Sequence, residues 1–133
     1  MKPNTENTTP TPLPSIFNIL REIKKYPSMF LGQTDEGRLQ QIRTLDYFIS
    51  GYTAAILEHK LNSRPNHFHK EFATFVQNKH GWSMSQGPLH AFVREIPNAD
   101  LAWDKLWEDI WEFEQSIVES VPHSPKNRGY TDK

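Results

Sequence analysis

Apolar residues recur at helical spacing through most of this chain. Ile16, Ile19, Leu20 and Ile23 form an i, i+3, i+4, i+7 stripe directly after Ser15, a residue type suited to capping a helix N-terminus. The spacing predicts a helix over residues 16–25, ended at Tyr26 because the ring of Pro27 disfavours helical geometry at the residue before it. Leu39, Ile42, Leu45, Phe48, Ile49, Tyr52, Ile56 and Leu57 predict a second helix over residues 38–60, the longest and most buried, with Thr34 or Asp35 as its cap. Gly51 lies in its middle, where glycine costs about 1 kcal/mol relative to alanine, and this predicts the close approach of another helix. A loop over residues 62–65 leads to a third helix over 67–79, with Phe68, Phe72, Phe75 and Val76 on one face and Lys79-His80-Gly81 as a cationic last turn closed by glycine.

Residues 82–96 fit two patterns. Gly87-Pro88 ahead of Leu89, Phe92, Val93 and Ile96 suits a short helix with proline in its first turn, whereas Leu89, Ala91 and Val93 alternating with His90 and Arg94 suits a strand. The helix is the favoured expectation. A last helix, capped by Asn98 or Asp100 and running to about Ser120, carries Ala102, Leu106, Ile110, Phe113 and Ile117 as its buried stripe, with Trp103, Trp107 and Trp111 beside it at i, i+4, i+8. The expected fold is all-α: a single-domain bundle of four or five helices over residues 15–121. Residues 1–14 and 122–133, polar and proline-bearing, are expected to be flexible.

Composition narrows the function classes. The chain has no cysteine, which excludes disulfides and thiolate metal sites and makes a reducing cytoplasm the expected setting. Neither a charged leader followed by an apolar stretch nor a run of about 18 apolar residues is present, so no membrane association is expected. The net charge of −1 gives no bulk attraction to nucleic acid, but it hides a polarity. Between Asp100 and Glu119 seven acids face one base, Lys105, for a local charge of −6, while Arg21 to Lys79 has nine bases and six acids.

Recognisable catalytic spacings are missing. His67 and His69 stand at i, i+2, on different helix faces, His80 and His90 fall in separate segments, and no H-E-x-x-H or G-x-S-x-G spacing occurs, so the histidines are expected at the surface or as caps, with no metal and no cofactor. The stretch KKYPSMFLGQTDEG resembles the R-P-G-M-Y-I-G-x-T segment of gyrase B-type ATPases. The following helix, with TLDYFISGYTAA, offers only Asp46 and lacks the glutamate and asparagine that water activation and Mg²⁺ binding need there. Met29, Phe30 and Leu31 are instead expected to plug the core at a helix-to-helix corner, with Gly32 turning the chain at positive φ.

A broader resemblance covers most of the domain. Pro27, Met29, Phe30, Leu31 and Gly32, then Phe48, Gly51 and Tyr52, then Phe72, Phe75 and Val76, and finally Trp107, Ile110, Trp111 and Phe113 resemble a P-x-M-Y/F-L-G…F-x-x-G-Y family of small bacterial proteins associated with toxin-immunity loci. Ser28 departs from the glycine usual there. The resemblance implies a non-catalytic protein that neutralises a cognate toxin by direct binding, and it transfers no catalytic residue.

The acidic last helix agrees with this, because a toxin that cleaves nucleic acid is commonly basic. Trp103, Trp107 and Trp111 are the expected anchors of a protein interface, and Asp104, Glu108 and Glu112 the charges that steer a basic partner. The alternative expectation is a small-molecule or enzymatic domain whose pocket is the 26–32 corner with Tyr52.

Overall fold

A computed structural model describes residues 15–32, 37–60, 65 and 67–120, with side chains to 117. Among the described residues six helices follow one another: α1 (Ile16–Lys25), α2 (Pro27–Leu31), α3 (Arg38–Glu58), α4 (Phe68–His80), α5 (Pro88–Glu95) and α6 (Ala99–Ser120). Among the described residues there is no strand, so the chain is an all-α bundle. The helix beyond the expected four or five is α2, a five-residue turn that forms because proline is favoured at the first helical position once α1 has stopped. The 82–96 ambiguity resolves to helix over Pro88–Glu95, preceded by an irregular segment. The expectations for residues 1–14, 62–64, 121–133, Thr34 and Asp35 lie outside the described residues; the residue before α3 is Gly37, which provides no side-chain cap.

The termini show local chemistry at work. Ser15 accepts a hydrogen bond from the Phe17 N–H at 3.2 Å, and the Asn98 side chain accepts one from Leu101 N–H at 3.0 Å, which makes Asn98 the cap of α6. Gly81 closes α4 in the left-handed region at φ 76°. His67 caps the same helix at its start, its ring nitrogen accepting from Lys70 N–H at 3.4 Å.

Helices α3, α5 and α6 pack against one another in a triangle, and α4 packs against all three. Phe17 ties α1 to this body through edge-to-face contacts with Phe68 at 6.1 Å and Phe113 at 6.0 Å. Phe68, Phe72 and Phe113 cluster at its centre in tilted and edge-on contacts, with Phe92 lying parallel to Phe72 at 6.3 Å.

Two packing expectations are corrected. Met29 is 70% exposed and Phe30 is half-buried against the edge of the core, so of the three only Leu31 is fully inside it. A five-residue helix on the surface can turn only part of its circumference inward. Gly32 does take positive φ, 83°, and its carbonyl accepts from the buried Gln41 amide at 2.9 Å, which anchors the corner. Gly51 faces outward, and a Cβ placed on it would meet nothing within 4 Å, so no helix among the described residues approaches it. Nor is α3 the longest helix: it has 21 residues and α6 has 22.

Candidate functional site

The wide buried arc of α6 decides where its side chains go. Because α6 packs against α3, α4 and α5 together, burial extends well beyond the Leu106 stripe. Trp107 on one flank and Asp109 on the other, roughly 160° apart at 100° per residue, are both inside. Trp103 is 3% and Trp107 1% exposed, which corrects their expected role as exposed anchors: they are core residues. Trp103 is covered by Arg38, whose guanidinium carbon lies 4.4 Å from the ring centroid. Trp111 is half-buried beneath Arg21 at 5.6 Å, and Arg21 also donates to Glu114.

Asp109 is the residue that sequence reasoning missed. It is 0% exposed, and its carboxylate is held on both oxygens: Lys79 Nζ donates to Oδ1 at 2.7 Å and His80 Nε2 donates to Oδ2 at 2.6 Å. Lys105 Nζ lies 3.8 Å from Oδ1. A buried carboxylate is stable only with such partners, and the last turn of α4 supplies them where a helix C-terminus favours cations. Lys79 also donates to Glu112 at 2.5 Å. Burial pulls the Lys79 ammonium down, but its hydrogen bonds to Asp109 and Glu112 outweigh that and hold it above the ordinary lysine value. His80 is therefore part of an internal hydrogen-bonded network rather than a surface or capping residue, and His69 binds Asp46 at 2.5 Å. The signal for Asp109 was its spacing: it stands three residues after Leu106 and four before Phe113, on the edge of the apolar stripe.

The outward face of α6 presents Asp104, Glu108 and Glu112, all exposed. Two of these charges are already engaged, Glu112 by Lys79 and Glu108 by Lys105 at 2.7 Å, whereas Asp104 has no hydrogen-bond or ion-pair partner among the described residues. Beside Asp104 and Glu108 opens a hollow of about 370 Å³ lined by His80, Trp82, Ile96, Leu101, Asp104, Lys105 and Glu108. Trp82 stacks on His80 at 4.1 Å with the rings 11° from parallel, and stands edge-on to Phe92 at 5.2 Å. Leu101 is 60% exposed at the rim.

The described lining offers an oriented imidazole, carboxylates and apolar surface, but neither a hydroxyl nor a thiol for the His80–Asp109 pair to activate. A second hollow, of about 350 Å³, is lined by Phe75, Asn78, Lys79 and Glu112 on the other side of the Lys79 bridge. Neither hollow is lined by residues 26–32 or by Tyr52, whose hydroxyl is pushed above its usual pKa by burial. Among the described residues no cluster of three metal-ligating side chains occurs, and no helix is long and apolar enough to cross a membrane.

Comparison with family models, with curated proteins and with solved structures finds no match to this chain.

Proposed function

We propose that this protein acts by binding another protein through the outward face of α6 and the hollow beside it, and that the partner is basic. As the resemblance to toxin-immunity proteins implies, the partner is a cognate toxin, neutralised when its active site or substrate groove is covered. One observation carries the proposal: an apolar hollow walled by Trp82, Ile96 and the exposed Leu101 opens directly onto the acidic edge formed by Asp104 and Glu108. Buried apolar surface ringed by charge is how protein interfaces combine affinity with steering. The contact set is thereby refined from the sequence expectation. Asp104, Glu108 and Glu112 remain on the face with Trp111 at its margin, Trp103 and Trp107 support it from within, and Leu101 and Trp82 take over as apolar contacts.

The test is co-purification with the product of the adjacent gene, repeated with Asp104→Lys and Glu108→Lys. Both side chains are exposed, so the fold should tolerate the changes. Affinity should fall at least about tenfold, chiefly through slower association. A neighbour that does not bind, or a complex indifferent to both reversals, rules the proposal out.

A further inference from the structure

Among the described residues, the hollow beside α6 presents one carboxylate without an ion-pair partner next to a fixed indole. Its acids are Asp104 and Glu108 and its lysine is Lys105; Lys105 is taken by Glu108 at 2.7 Å, which leaves Asp104 over. Trp82 stacks one face on His80 and is flanked at its side by Phe92, so its ring cannot swing away from the hollow without breaking both ring contacts. Ile96 and Leu101 supply the remaining apolar wall.

The same helix already shows what this combination holds. Arg21 lies over the Trp111 ring while donating to the Glu114 carboxylate, so one guanidinium uses an indole face and an acid together. Arg38 over Trp103 repeats the stacking half of that arrangement. At the hollow the indole and the acid are present and the guanidinium is not supplied by any described residue. A guanidinium suits such a site better than an ammonium, because it is planar, weakly hydrated and able to donate two parallel N–H groups to one carboxylate. Its methylene stem would lie along Ile96 and Leu101. The volume of about 370 Å³ is at the small end of ligand sites, which run from about 300 to 1,000 Å³.

We infer that this hollow is the receptor for an arginine side chain of the partner, with Asp104 taking the guanidinium and Trp82 its flat face. The inference rests on the reading of this face as a partner-binding surface and names the group that enters it. The experiment needs no partner. The full chain is titrated with Nα-acetyl-arginine N-methylamide while the four tryptophan indole N–H resonances are followed by NMR.

The Trp82 resonance should shift saturably. The neutral citrulline analogue and the lysine analogue should each bind at least about fivefold more weakly, and Asp104→Asn should weaken arginine binding by about fivefold, the scale of an exposed ion pair. Asp100→Asn, outside the hollow, should leave the titration unchanged. Equal shifts with citrulline or lysine, an unaffected Asp104→Asn variant, or shifts confined to the other tryptophans would overturn the assignment. Loss of the arginine effect alongside an intact complex with the neighbouring gene product would sink the receptor and leave the proposed function standing; the opposite pair of results would do the reverse.

Discussion

Replacing Lys79 with methionine should destabilise the fold by about 3 kcal/mol, because it strips a buried carboxylate of its closest cation. At 2.7 Å the Lys79–Asp109 attraction amounts to about 6 kcal/mol before desolvation, with an effective dielectric constant near 20. The Lys79 side chain is 28% exposed, so part of the desolvation was never incurred. After the substitution Asp109 keeps His80 at 2.6 Å and Lys105 at 3.8 Å, which places the loss at the lower end of the roughly 3–5 kcal/mol seen when a buried pair loses one member. Glu112 also loses its partner, but it is over half exposed and water replaces the contact at little cost.

Asp109→Asn keeps the shape and removes the charge, and should cost about 2 kcal/mol. The double variant should be no worse than Lys79→Met alone, giving a coupling of about 2 kcal/mol. Urea unfolding at neutral pH measures all three. Losses that simply add, or a Lys79→Met effect below about 1 kcal/mol, would show that Asp109 is not held as a charged pair.

The pH dependence supplies an independent check. The Lys79 pKa is raised in the folded state, so its contribution is complete below the ordinary lysine value of 10.5 and is lost as pH rises through the higher folded value. The native chain should lose stability in that alkaline window, and Lys79→Met should remove that part of the decline.

Two further substitutions test packing. Gly51→Ala should raise stability by up to about 1 kcal/mol in the same urea assay, since the position is helical, exposed and clear of neighbours; destabilisation would mean that something covers that face. Trp107→Ala should cost about 3–5 kcal/mol, whereas Trp107→Phe should cost only about 1 kcal/mol, because it also removes a buried indole N–H with no hydrogen-bond partner among the described residues. A larger loss for phenylalanine than for alanine would refute that account.

The sequence by itself determined the four longer helices, but not the five-residue α2, and it left residues 82–96 open between helix and strand. Helical periodicity, the Ser15 and Asn98 caps, the Pro27 stop and the Gly81 closure are local effects that act within a few residues of chain, and each is found where the pattern places it. Even Gly32 was legible, because a turn between two helices calls for positive φ at some residue and glycine adopts it freely.

Only the tertiary structure decided which faces became interior. A hydrophobic stripe marks one side of α6, but three neighbouring helices bury a much wider arc, so Trp103, Trp107 and Asp109 went inside although the stripe alone left them at its margins or beyond. Asp109 could follow only because Lys79 and His80, thirty and twenty-nine residues away in the chain, meet it across the bundle. The hollow was equally hidden from sequence, since Trp82, Ile96 and Leu101 come from three segments that share no periodicity. Periodicity reports how one helix sees a generic interior; which charges that interior can accept, and where it stays open, depends on partners that only folding brings together.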